Sequence, residues 1–204
     1  MMIEIKTDVM RHPRQRYLEI AAEVLQRNLP SETISISGID NNEKENLKAA
    51  RLHDGVIDLR EYIIHQIVDR ERFGVKDSHK VSTVISDGAC VVENGRRINN
   101  PYGYSISSSS EATISTRSVE RMIPEQIRRF TDLIIAYTIV HETGHLFGLV
   151  SSESRRHRTG KHCGNICVMQ STATPEATLD LIAGGMGGDI CFCSECVYDL
   201  NSRH

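Results

Sequence analysis

Tryptophan is absent from the 204-residue sequence, and aromatic residues of all kinds make up only 5% of it. A surface that stacks nucleic-acid bases needs such rings and a basic excess, whereas the formal net charge here is -3. Nucleic acid is therefore not an expected partner. Long hydrophobic runs are missing too. The longest apolar stretch, Leu133 to Val140, is broken by Thr138 and falls far short of the roughly 20 residues that span a bilayer. The opening MMIEIKTDVMRHPRQ lacks the apolar core of a signal peptide. The expectations are no membrane partner, a cytoplasmic location and a monomer as the default state.

What remains is globular composition, 39% hydrophobic and 25% charged, at a length that suits one domain over residues 1–204. Residues 2–6 read as a first strand. A helix follows from Pro13 to about Arg27, with Tyr17, Ile20, Ala21 and Leu25 at helical spacing. Thr33–Ile39 alternates as a second strand, and Lys80–Ile85 is a β-branched third. Glu43–Arg51 and Ile57–Arg72 read as helices, the first with a loop as its alternative. Asp87 to Ser110 is rich in Gly, Asn and Ser and is expected to be loop. Glu111–Arg117 alternates, with Thr113 and Ser115 on a polar face that suits an edge strand. Pro124 then opens a long helix to about Phe147. Short helices are expected near Pro175–Ala183 and from Ser194 onward. The fold class is α/β: a small mixed, twisted sheet with one long helix in residues 1–148, and an irregular part in residues 149–204.

The strongest signal is HETGHLFG, His141 to Gly148. Histidines four apart lie one helical turn from each other, so both rings can reach one metal ion. Glu142, beside the first, is placed as a general base. His141 also continues an apolar stripe through Ile123, Ile127, Phe130, Ile134 and Tyr137, which sets it on a buried face. The bland alternative is a pair of core histidines. Gly148 falls where the helix should end in a left-handed turn that swings the chain back. In a metzincin HExxHxxGxxH pattern the third ligand would stand at position 151, which is Ser151 here. An insertion that loops out and returns at His162 supplies the third ligand instead, with His157 and Glu153 as rivals. Arg155, Arg156, Arg158 and Lys161 would be that loop's solvated face.

Five of the six cysteines fall between positions 163 and 196. Cys163 pairs with Cys167, and Cys193 with Cys196, at metal-ligand spacing. Four thiolates fill a tetrahedral zinc site and leave no open position, so such a site is structural. Cys191 is a rival to Cys193. Cys90 stands alone and reads as a small buried hydrophobe.

HETGHLFG (141–148), HC (162–163), CVM (167–169) and CSEC (193–196) together resemble the archaemetzincin family. The likeness covers the C-terminal third by motif and departs from the family in three spacings, chiefly the insertion before His162. It implies a metzincin-like zinc peptidase, aminopeptidase-like among the options, acting on peptide or protein substrates. It also implies two zinc ions, one held by His141, His145 and His162 and one by the cysteines. Met169 would form the methionine turn beneath the catalytic ion, and the Glu111–Arg117 strand would border the cleft. A metzincin-like binding module that has lost catalysis is the alternative reading, with Ser151 its best support and Glu142 the argument against it.

Overall fold

The computed structural model describes residues 2–8, 16–72, 79–99, 101–106, 110–150, 158–159 and 162–202. Strand β1 (Met2–Thr7) places Ile3, Ile5 and Thr7 inward, each fully buried. Helix α1 (Arg16–Asn28) then buries Tyr17, Leu18, Ala21, Val24 and Leu25 against that face. β2 (Thr33–Gly38) returns parallel to β1.

α2 (Asn41–Ala49) is helix rather than loop, and the cause is local. Asp40 accepts from Glu43 N at 2.9 Å while Glu43 accepts from Asp40 N at 2.7 Å, a closed capping box. Ile57 and Asp58 form β3 (Ile57–Asp58) ahead of α3 (Leu59–Arg72), so that helix starts two residues later than its apolar pattern suggests. β4 (His79–Ile85) pairs with β1 in parallel.

The expected loop over residues 87–110 is largely strand. β5 (Ala89–Glu93) and β6 (Arg96–Asn99) form a hairpin closed by Asn94 and Gly95, both at positive φ (50° and 72°). Asn-Gly between β-capable residues is a strong two-residue hairpin signal, and it outweighs the polar composition around it. With β3 these strands form a small second sheet, which fully buries Cys90. β7 (Gly103–Ser105) and β8 (Glu111–Ser115) complete the main sheet in the order β2-β1-β4-β8-β7. The Glu111–Arg117 segment is thus not the edge. β7 lies antiparallel outside it, and all five residues of β8 are buried. Its polar face is covered by α3, where Arg70 donates to Glu111 at 2.5 Å.

α4 (Thr116–Met122) leads to a short 3-10 turn (Glu125–Phe130), and only then to α5 (Thr131–Leu146). The long helix therefore starts at Thr131, because Phe130 at φ -101° and ψ 11° breaks the path from Pro124. Every residue from Ile134 to His141 is buried. The helix is enclosed between the sheet with α1 on one side and the C-terminal part on the other, so its apolar stripe is only one sector of a rod buried over most of its length. A short hairpin, β9 (Arg158–Thr159) with β10 (His162–Cys163), precedes α6 (Pro175–Asp180), a π turn (Leu181–Gly185) and α7 (Ser194–Ser202). Among the described residues no helix is long and apolar enough to cross a membrane.

Because the capping box starts α2, Asp40→Ala should lower unfolding free energy by about 1 kcal/mol, read from urea denaturation. An unchanged midpoint would show that packing, not the cap, holds α2.

Candidate metal centres and cleft

α5 ends where the two-histidine motif ends. Gly148 adopts φ 69°, and its N–H bonds His145 O at 2.9 Å while Leu149 N reaches Gly144 O at 3.2 Å. This left-handed stop turns the chain back on itself. The Leu149 carbonyl then accepts from His145 Nδ1 at 3.0 Å.

His141 Nδ1 is held in the same way by the Val168 carbonyl at 2.7 Å. A carbonyl only accepts, so both Nδ1 atoms carry their protons and both Nε2 atoms face inward. Burial, with His145 and His162 nearby, pushes His141 down to about 3, so its ring is neutral. The two Nε2 atoms lie 3.2 Å apart.

β10 brings the His162 ring alongside, with centroids 5.3 Å from His141 and 5.5 Å from His145. One ring nitrogen from each of the three lies within 4.8 Å of the others. A proton serves two such nitrogens; three convergent ones fit a metal ion. Two nitrogens on a tetrahedral zinc, each about 2.05 Å from it, stand about 3.3 Å apart, which is the spacing of the α5 pair. His157, Glu153 and Ser151 lie outside the described residues.

The cysteines converge as a second group. Cys163, Cys167, Cys193 and Cys196 place their sulfurs within 4.8 Å of one another, and Cys191 stands outside them. Cys163 and Cys193 are 3.7 Å apart, Cys167 and Cys196 3.9 Å. These separations are far beyond a disulfide bond and match the roughly 3.8 Å expected between sulfurs about 2.3 Å from one tetrahedral zinc. Asn165 N points at Cys163 Sγ (3.4 Å) and Asn165 Nδ2 at Cys193 Sγ (3.6 Å), as donors toward thiolates do. The thiols shift one another strongly. Donation from Cys167 and Cys196 drives Cys193 well down, contacts with Cys167 and Cys193 drive Cys196 up, and burial pushes Cys163 up to about 12. A cation among them would remove that conflict.

The two groups are joined through one short segment. His162 and Cys163 are adjacent, as are Cys167 and Val168, the residue that fixes His141. Cys163 N bonds Met169 O at 2.9 Å, Val168 N bonds Cys191 O at 2.8 Å, and Tyr137 donates its hydroxyl to Gln170 O at 2.8 Å. Met169 is fully buried against the motif helix. A Cβ at Gly144 would lie 2.4 Å from its sulfur and 3.3 Å from the Phe192 ring. Gly144 is therefore the space that Met169 occupies.

Glu142 points into a cavity of about 170 Å³ lined by Tyr102, Tyr137, Thr138, His141, His162 and Thr172 among others. Edge strand β7 crosses it closely. Ser105 Oγ donates to Glu142 Oε2 at 2.8 Å, and a Cβ at Gly103 would come within 2.7 Å of Glu142 Cγ. Burial raises the Glu142 carboxyl, while His145 and Ser105 oppose the shift. Tyr102, Gly103 and Ser105 are absent from the residues singled out by sequence. Their signal, a glycine between short polar and aromatic residues, marks a close backbone approach only once the strand itself is known.

No family model matches the chain, and no curated protein matches its sequence significantly. Solved structures do. An archaemetzincin from Methanopyrus kandleri superposes with a TM-score of 0.62 at 18% identity, over 99% of this chain and 94% of that one. A zinc-dependent peptidase from Methanocorpusculum labreanum (strain Z) gives 0.64 at 18% identity, over 98% and 100%. The chain has the archaemetzincin fold.

Since Met169 fills the hollow at Gly144, Gly144→Ala should destabilise the protein by about 1–2 kcal/mol despite alanine's better helix propensity. A rise in melting temperature would mean that Met169 is free to move aside.

Proposed function

We propose that the chain is a zinc-dependent metallopeptidase, with residues 1–204 acting as one catalytic domain. The observation that carries this reading is the convergence of three imidazoles beside a cleft-facing carboxylate: His141 and His145 already locked by backbone carbonyls, His162 delivered by β10. His141, His145 and His162 would hold the catalytic zinc. Cys163, Cys167, Cys193 and Cys196 would hold a structural one, making two ions per chain. The donor sets fit those roles, since three nitrogens leave a coordination position open and four sulfurs leave none. Zinc held at the first site would supply an acidified water, with a pKa of about 7, and polarise a substrate carbonyl.

The chain's own residues do the rest. Glu142 accepts a proton from the attacking water at the oxygen not engaged by Ser105, then returns it to the leaving amine. An extended peptide pairs along the open edge of β7, which gives affinity through main-chain hydrogen bonds and little sequence preference. One substrate side chain enters the cavity between Tyr102, Tyr137 and Thr172. Met169 supports the ligand cluster from beneath.

Glu142 favours an enzyme over a binding module, because a metal anchor has no use for a base held beside the ligands by an open strand edge. Peptide or protein substrates fit the open strand edge, and one of the two structural neighbours is named a zinc-dependent peptidase. Four cysteines at metal spacing rather than disulfide spacing favour a reducing, cytoplasmic setting.

Glu142→Ala tests the reading. Zinc content and melting temperature should stay near wild type, while hydrolysis of an unstructured protein or fluorogenic peptide falls at least about a hundredfold. Loss of zinc together with activity would make Glu142 structural. Retained hydrolysis would remove the proposed mechanism.

A further inference from the structure

The contact between β7 and α5 is closer than sheet packing requires. Gly103 and Ser105 alternate onto the same face of the edge strand, opposite Ile114 and Ala112 of β8, while Tyr104 between them packs on the other face against the buried cluster that includes Ile57, Tyr62 and Val91. Both reach the same side chain. Gly103 leaves room for the stem of Glu142, where any Cβ would collide at 2.7 Å with Cγ and at 3.1 Å with Cδ. Ser105 takes Oε2 at 2.8 Å. The Glu142 side chain is thus clamped along its length, with one carboxylate oxygen engaged and the other left for chemistry.

We infer that Ser105 is a positioning residue for Glu142, and that the Gly103–Ser105 edge strand couples peptide docking to the aim of the base. This rests on the reading of Glu142 as general base. A peptide pairing with β7 fixes the backbone of the residues whose side chain and Cα hold the carboxylate. Binding of an extended substrate therefore also sets the distance between its scissile bond and Glu142. A free base on a surface helix samples several rotamers; held at both stem and tip, it has one. A displacement of about an ångström at such a group costs up to about a hundredfold in rate.

The test uses the zinc-loaded, full-length protein carrying Ser105→Ala, Ser105→Thr or Gly103→Ala, with Glu142→Gln as the reference. Ser105→Ala is expected to lower kcat on a fluorogenic peptide at least about tenfold, with KM within about twofold and zinc content unchanged. Calorimetry should show about tenfold weaker binding of a short peptide hydroxamate, whose hydroxyl hydrogen-bonds the same carboxylate. Ser105→Thr, which keeps the hydroxyl, should recover most of both. Gly103→Ala should lower kcat by pushing Glu142 aside, and it carries the test if Ser105→Ala folds poorly. Wild-type kcat and hydroxamate affinity in both alanine variants, with Glu142→Gln inactive, would overturn the positioning role alone. A rise confined to KM, or loss of zinc, would likewise overturn it in favour of a purely structural contact. An active Glu142→Gln would instead remove the general-base reading on which it depends.

Discussion

Two imidazole nitrogens 3.2 Å apart, each turned inward by a carbonyl that holds the far side of its ring, set the terms for the rest of this protein. Such a pair is repulsive unless a proton or a metal ion sits between them, and the third convergent ring of His162 fits the metal ion. Every element around the pair bears on that constraint. The left-handed turn at Gly148 supplies one carbonyl, the segment before Met169 supplies the other, and β10 adds a third ring. The enclosed position of α5 gives these contacts their rigidity, since both motif histidines ride on a helix buried over most of its length.

The cysteine cluster belongs to the same problem. The C-terminal part has little regular structure with which to hold a carbonyl, a methionine and an imidazole in register. A chain of that kind orders itself cheaply through ligands, because metal binding at a four-cysteine site is also folding free energy. In the proposed reading the cysteines lie one residue from each critical point: Cys163 next to His162, and Cys167 next to Val168. The structural ion would then act on chemistry through two peptide bonds rather than through a long relay. In the same reading the peptide-binding edge is β7, a separate element packed against Glu142, so substrate contact and ligand support would be divided between the two halves of the fold.

Much of this was legible in the sequence, for identifiable reasons. The HETGHLFG motif announced helix, facing histidine pair and stop, because the four-residue spacing and the terminal glycine are both local rules. The cysteine pairs were legible from spacing as well. His162 was not separable from His157 or Glu153 by spacing, since an insertion erases the arithmetic, and only the fold brings its ring to the pair. The hairpin at Asn94-Gly95 was written plainly in its dipeptide but was masked by the polar composition around it. Strand β8 read as an edge because its alternation is half polar; in the folded chain Arg70 neutralises Glu111 beneath α3, so polarity there signals a buried ion pair. Gly103 and Ser105 carried no usable signal, because their meaning lies in a contact with a helix almost forty residues away.

In the proposed reading the histidine centre depends on the cysteine centre, and zinc content per chain measures that dependence directly. Elemental analysis of protein purified without chelator should find about two ions in the wild type and about one in His141→Ala. In Cys193→Ser it should find close to none, because loss of the cysteine-bound ion releases His162 and the Val168 carbonyl together. A Cys193→Ser protein that still holds one zinc at wild-type affinity through His141, His145 and His162 would contradict that dependence.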